Sequence, residues 1–177
     1  MIVVVSDTHR TDRPGLDGSL REAVQSADRV LHAGDFTTEA VLEGFESNSR
    51  SLLGVAGNRD GPGVSERLPA ARTLAIGPYT VAMTHRQDGG QTGLAYFGAE
   101  RDADLVISGH THQAHVVTGS GPTLLNPGSH ADPRGGEPTY ATLELADGTL
   151  RGRVLTVAGT EKRSFAVEGR NEPGDGV

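Results

Sequence analysis

Leu105-Val106-Ile107-Ser108-Gly109-His110-Thr111-His112 is an apolar run that ends in two histidines one residue apart. In an extended segment residues two apart point the same way, so His110 and His112 are expected to reach into one site from the end of a buried strand. Imidazoles at a strand end can serve a metal, but alone such a pair reads equally well as ordinary surface or core histidines. The rest of the chain decides between these.

Four other stretches repeat the arrangement. Met1 to Val5 is continuous and β-branched, the pattern of a strand covered on both faces, and it runs into Ser6-Asp7-Thr8-His9. Arg29 to His32 ends in Ala33-Gly34-Asp35, and Ser51 to Ala56 ends in the loop Gly57-Asn58-Arg59-Asp60-Gly61-Pro62-Gly63. Arg72 to Ile76 and Tyr79 to Thr84 read as a hairpin whose second arm delivers His85. Helical spacing over Leu16 to Ala27, a helix over Glu39 to Phe45 capped by Thr37 or Thr38, and a short helix over Thr92 to Glu100 alternate with the strands. The class is therefore α/β, where the carboxyl ends of the strands are the edge at which ligands collect.

Asp7, His9, Asp35, Asn58, His85, His110 and His112 all fall at that edge and offer three oxygens and four nitrogens. Seven ligands are too many for one tetrahedral ion, whereas two ions sharing a carboxylate fit the number. Mixed Asp, Asn and His donors suit Mn, Fe, Zn, Co or Ni and leave positions for water and substrate.

Composition sets the outer bounds. The 177 residues suit one domain, assigned to 1–169, and Arg170 to Val177 has no pattern and reads as a flexible tail. With hydrophobic residues at 35%, aromatics at 4% and 25 glycines, the core is expected to consist of Val, Leu, Ala and Ile between tight loops. The absence of cysteine excludes disulfides, thiolate zinc sites and a thiol nucleophile. A formal charge of -7 and a single lysine, Lys162, argue against a face that neutralises a nucleic-acid backbone, and so against a nuclease. The apolar run Ile2 to Val5 is too short for a signal sequence, and no stretch approaches a membrane span, so a cytoplasmic protein is expected. Further strands are expected at Val116 to Gly119, Thr123 to Leu125, Thr139 to Leu145, Leu150 to Val157 and Phe165 to Val167, with Asn126 to Ser129 as a bracing turn.

Ser6-Asp7-Thr8-His9, Gly34-Asp35, Gly57-Asn58-Arg59-Asp60, Thr84-His85, Gly109-His110-Thr111-His112 and Asn126-Pro127-Gly128-Ser129 together resemble the ordered motifs of the calcineurin-like metallophosphoesterases. Their order is most similar to the small prokaryotic phosphodiesterases, and the resemblance runs from residue 2 to 145. It implies a four-layer α/β/β/α sandwich with two mixed β-sheets. It also implies that Asp7, His9 and His112 hold one divalent ion, that Asn58, His85 and His110 hold a second, and that Asp35 bridges them. Manganese is the first expectation, with Ni, Co, Fe or Zn as alternatives. The implied reaction is hydrolysis of a small phosphate ester, most directly a diester, by a hydroxide held between cations about 3.5–4 Å apart. A homo-oligomer is left open. The alternative is a non-catalytic protein-binding scaffold of the same fold, which missing ligands would favour; here none is missing.

Two departures from the family pattern bear on chemistry. Arg59 stands where relatives often carry His, and an arginine stays charged and cannot act as an acid near neutrality. It can grip a phosphate oxygen or pair with Asp60, so Asn58, Arg59 and Asp60 form the catalytic assignment. Thr84-His85-Arg86-Gln87 replaces the usual His-Gly-His, which keeps the metal ligand and changes the loop beside it. His32 reads as a packed group behind the ligands, and His115 and His130 as ordinary loop histidines.

Overall fold

Val3, Val4 and Val5 are completely buried because the strand they form is covered on both faces. That strand, β1 (Ile2–Val5), lies inside a six-stranded sheet. It pairs in parallel with β2 (Arg29–His32), which pairs in parallel with β3 (Leu52–Gly54). The second sheet has five strands: β4 (Ala71–Ile76), β5 (Tyr79–Thr84), β6 (Leu105–Ile107), β7 (Ala114–Val117) and β8 (Thr123–Pro127), in the spatial order β4-β5-β6-β8-β7. The chain then returns to the first sheet as β9 (Thr139–Ala146), β10 (Thr149–Thr156) and β11 (Glu161–Ala166), with β9 antiparallel to β1. This computed structural model describes residues 1–169; the tail expected at 170–177 lies outside the described residues.

Side-chain alternation along the strands builds the layers. Val4 and Leu31 point to Val81, Met83, Leu105, Ile107 and Leu125, forming the core between the sheets. Val3, Val5 and Val30 point the other way, onto Leu20 and Val24 of α1 (Gly18–Ser26) and Val41, Leu42 and Phe45 of α2 (Glu39–Asn48). Ala82, Val106 and Leu124 on the far face of the second sheet meet Phe97 of a further helix, Gly90–Ala99. The result is the expected four-layer sandwich of helices, two mixed sheets and a helix. Among the described residues no helix is long and apolar enough to cross a membrane.

Several boundaries differ from the expectation. Gly61-Pro62-Gly63, read as loop, opens a short helix α3 (Pro62–Ser65), because proline at a first helical turn lacks only an N–H that would be unpaired anyway. The helix Gly90–Ala99 is therefore α4. Thr38 caps α2, its side chain accepting from the Val41 amide. Asn126 and Pro127 belong to the end of β8, opposite His115 and Ala114 of β7, beyond the last residue paired with β6. The edge strand β11 begins at Glu161 and not Phe165; its exposed Glu-Lys-Arg-Ser face hid it from a hydrophobic pattern.

His130 is buried and not an ordinary loop residue. Its Nε2 donates to the Pro14 carbonyl at 2.9 Å, its Nδ1 has no hydrogen-bond partner among the described residues, and Phe45 meets the ring edge-on at 6.0 Å. Burial outweighs the Pro14 bond and pulls the imidazole from its ordinary 6.5 down to about 4. A group that resists protonation only when folded gives stability present above 6.5 and lost as pH falls toward the folded value. Between pH 7.5 and pH 5 this residue should remove about 2 kcal/mol of stability. Urea unfolding at the two pH values should therefore show a smaller pH dependence in His130→Gln than in the native protein, and equal dependence would contradict this reading.

Candidate metal centre

All seven side chains expected to bind metal converge where the parallel strands of the two sheets end. Asp7 and His9 follow β1, Asp35 follows β2, Asn58 follows β3, His85 follows β5, and His110 and His112 follow β6. The manner of convergence differs from the expectation for the last pair. His110 and His112 have φ of 73° and 61°, so they lie in a left-handed loop rather than at the end of an extended strand. They also diverge: His112 Nε2 lies 3.4 Å from Asp7 Oδ1, while His110 Nδ1 lies 2.9 Å from Asn58 Oδ1. Asp7, His9 and Asp35 adopt positive φ as well, at 53°, 45° and 60°. Such backbones cost on the order of 1 kcal/mol or more each and persist only when surrounding contacts dictate them.

The contacts are present. Asp7 N donates to the Gly34 carbonyl and His9 N to the Asp35 carbonyl, locking the first two loops together. The His110 amide donates to both Asp7 carboxylate oxygens, at 3.1 and 2.9 Å, and the Arg59 amide donates to Asp35 Oδ1 at 2.7 Å. Gly57 and Gly109 allow this approach, since a Cβ at Gly57 would strike the Asp35 carboxylate and one at Gly109 would strike Ser6 Oγ. His32, stacked on Phe36, accepts from Gly34 N and bonds Thr8 Oγ1 at 2.9 Å, and so braces the loops carrying Asp7 and Asp35. Burial, with the charges of His130 and His85, holds this imidazole well below its ordinary range, so it braces in the neutral form.

The hydrogen-bonding accounts of three histidines reveal what the site lacks. His85 Nδ1 lies 2.8 Å from the Ala33 carbonyl, which can only accept, so Nδ1 carries the proton and Nε2 a lone pair. That lone pair faces Asp35 Oδ2 at 3.3 Å and Asn58 Oδ1 at 3.1 Å. His112 Nδ1 donates to the Asp132 carbonyl at 2.5 Å, so its Nε2 lone pair faces Asp7 Oδ1. His9 Nε2 is buried 3.1 Å from Asp35 Oδ2 and 3.9 Å from Asp7 Oδ1, yet no hydrogen bond of acceptable geometry forms. At His112, and at His85 in its neutral form, an acceptor thus faces an acceptor, and a positive species between them is what the geometry calls for.

A proton can fill one of these gaps. Burial depresses the His85 pKa, but the Asp35 hydrogen bond and charge outweigh it and raise the value above 6.5. Burial pushes the Asp35 carboxyl up, while His85, the Arg59 amide and His9 together pull it down to about 2, so it stays ionised. Burial, with the charges of His85 and Arg86, lowers His110, which keeps its lone pair available. Divalent cations fit the donor set better than protons do. Ligand atoms of Asp7, His9 and His112 lie within 4.8 Å of one another, and so do those of Asp7, Asp35 and His85. Asn58 and His110 extend the second group, their Oδ1 and Nδ1 being in contact.

The remaining candidates separate in role. Both Asp60 oxygens accept backbone amides, from Thr37 and Gly57, each at 2.7 Å, so its carboxylate ties the Asp35 and Asn58 loops together. Burial outweighs those bonds and raises the Asp60 pKa. The Arg59 guanidinium is exposed and makes no ion pair with Asp60 or any other described residue. From the end of β8 Asn126 braces the loop that carries His110, donating to Gly109 O and Thr111 Oγ1. Sequence reading missed Asp132, whose carbonyl sets the His112 tautomer, and the Ser129 hydroxyl, which donates to Asp7 O. For Asp132 no motif marks the role, because a backbone carbonyl does it. Ser129 lay in a quoted motif.

The chain as a whole is similar to known proteins. Residues 1–148 match the profile of the calcineurin-like phosphoesterase superfamily domain. A protein of Methanothermobacter thermautotrophicus described as a probable metallophosphoesterase is 32% identical over 169 residues, covering 93% of this chain and 97% of its own. Among solved structures, a conserved Streptococcus pneumoniae protein, a predicted phosphoesterase, superposes with TM-score 0.71 and 25% identity over 93% of this chain and 96% of its own. Vps29 of Entamoeba histolytica complexed with zinc shares the fold, with TM-score 0.76 and 22% identity over 94% of this chain and 99% of its own.

The Gly57 contact makes a direct test of the cage. Gly57→Ala should weaken Mn²⁺ binding about tenfold or more, because it displaces the Asp35 carboxylate. Gly119→Ala, where an added methyl meets nothing within 4 Å, should bind as the native protein does in the same calorimetric titration. Equal affinity in both variants would refute the close-approach argument.

Proposed function

This chain belongs to the calcineurin-like phosphoesterase superfamily, and from that premise we propose that it hydrolyses phosphodiesters with the aid of two divalent cations. The observation that carries this reading is the set of imidazole nitrogens of His9, His85 and His112 that face the carboxylate oxygens of Asp7 and Asp35 at 3.1–3.4 Å. In this reading Asp7, His9 and His112 hold one ion and Asn58, His85 and His110 the other, with Asp35 between. Asp35 Oδ2 supports that place, being within 3.1 Å of His9 Nε2 and 3.3 Å of His85 Nε2. Manganese is the first choice, with Ni, Co, Fe or Zn as alternatives. When bound, such cations supply positive charge to the non-bridging phosphate oxygens and acidify water.

The chain's own residues supply the rest. Asn58 and Arg59 are exposed at the mouth of the site, so Arg59 is free to take a phosphate oxygen bidentately. Its amide meanwhile fixes Asp35, and Asp60 fixes the loop, which makes Asp60 a positioning residue. In the net reaction the water oxygen forms a new P–O bond and the bond to the leaving oxygen breaks. A water proton ends on the leaving alcohol or in solvent, and the product is a monoester. Arg59 cannot supply that proton. The scaffold alternative has support in the Vps29 likeness, but the intact ligand set favours the hydrolase. We place the protein in the cytoplasm, acting on a small ester.

Hydrolysis of bis(4-nitrophenyl) phosphate should require added Mn²⁺, Ni²⁺ or Co²⁺ and vanish on chelation, and Asp35→Asn should lower kcat/KM by about a hundredfold or more. No metal-dependent turnover, with a partner protein co-purifying, would favour the scaffold. Among diesters, aryl leaving groups should outpace alkyl ones strongly, since the chain offers no acid at position 59. Equal rates for the two would show that another residue donates the proton.

A further inference from the structure

Two cavities open from one corner of the metal centre. The first, about 390 Å³, begins at His110 and is walled by Leu94, Ala114, Leu124 and Leu125. The second, about 510 Å³, begins at Asn58 and passes Tyr96, Asp88, Glu100 and Arg101. His85, Arg86 and Gln87 line both. Asn58 Oδ1 lies 2.9 Å from His110 Nδ1 and 3.1 Å from His85 Nε2, so the two mouths are one hydrogen bond apart.

The wall between them is α4. Gly90, Gln91 and Leu94 face the first cavity, whereas Gly93, Tyr96 and Phe97 face the second. At 3.6 residues per turn Gln91 and Tyr96 point to different sides of the helix, with Gly90 and Phe97 on the stripe between them. A phosphorus atom held at the shared mouth therefore has room for two substituents, one on each side of α4. A monoester carries only one organic substituent and would leave a cavity unused.

The linings differ in chemistry. Beyond Arg86 and the histidines, the first cavity is walled by apolar side chains and by uncharged polar ones, Gln91, Gln113 and Asn126 among them, with Gln91 Nε2 bonded to His115 Nε2 at 2.8 Å. That suits a flat ring with hydrogen-bonding edges. The second carries charges of both signs. Arg101 stacks on Phe97 at 3.8 Å, donates to the Phe97 carbonyl and lies 3.5 Å from Glu100. Arg101 and Glu100 offset one another and Arg86, common to both cavities, faces the shared mouth, so Asp88 is left to repel a second phosphate and accept a cationic or neutral polar arm.

We infer that the substrate is an asymmetric phosphodiester, with an uncharged ring-bearing arm beside Leu94 and a polar arm free of further anionic charge beside Asp88. This rests on the phosphodiesterase reading. The test compares 4-nitrophenyl phosphorylcholine, 4-nitrophenyl ethyl phosphate, a 4-nitrophenyl diester with a carboxyethyl arm, and the monoester 4-nitrophenyl phosphate. Gln91 and Asp88 are both exposed, so Gln91→Arg and Asp88→Lys should fold. The choline ester should have the lowest KM and the carboxyethyl ester the highest among the diesters, about tenfold apart. Asp88→Lys should reverse that order, and Gln91→Arg should raise KM for all three aryl diesters with a smaller change in kcat.

Turnover in which the second arm makes no difference, or in which both variants shift every ester by one factor, would overturn the two-arm inference and leave the hydrolase reading standing. Absence of turnover of every ester would overturn the hydrolase reading. Calorimetric binding of the choline monoester of 4-nitrobenzylphosphonate then still decides the arms. Weaker binding in each variant supports them, and unchanged binding in both overturns them.

Discussion

At the junction of the two sheets, buried carboxylate oxygens and imidazole nitrogens crowd against one another at 3.1–3.4 Å. His9 Nε2 and His85 Nε2 approach the same oxygen of Asp35, and His112 Nε2 approaches Asp7. In a buried setting this arrangement is unfavourable unless positive charge enters it. Everything around it serves to keep it assembled: the Ala33 and Asp132 carbonyls set the tautomers, the His110 and Arg59 amides fix the carboxylates, and Asp60 joins two loops. A chain selected only for stability would have little reason to hold so many left-handed, acceptor-rich residues in one place.

The sandwich explains how these residues are held. β1, β2 and β3 run in parallel in one sheet, and β5 and β6 run in parallel in the other. Their carboxyl ends lie at the same edge because the shared core of Val4, Leu31, Met83 and Ile107 fixes one sheet on the other. Helices on the outer faces bury Val5 and Val106, so the strands are rigid to their last residues. Rigid strand ends carrying short loops give the precision that a multidentate site needs.

Much of this was legible in the chain. Met1 to Val5 is apolar at every position, which a strand covered on both faces requires, and Asp7, Asp35, Asn58, His85 and His110 each follow a stretch that reads as a strand. The loop conformations were not legible. Positive φ at His110 and His112 comes from tertiary contacts, above all the Asp7 carboxylate receiving the His110 amide, and no local pattern encodes a partner 103 residues away. The strand β11 and the helix α3 escaped for local reasons, one because its exposed face is charged and the other because Gly-Pro-Gly also describes a turn. The burial of His130 depends on Phe45 and Pro14, both distant in sequence.

The central claim is that Asp35 lies between two cations. A crystal grown with Mn²⁺ and measured on either side of the manganese absorption edge tests it most directly. The account predicts two anomalous peaks, one among Asp7, His9 and His112 and one among Asn58, His85 and His110, each touching the Asp35 carboxylate. A single peak, or peaks that do not touch Asp35, would contradict it.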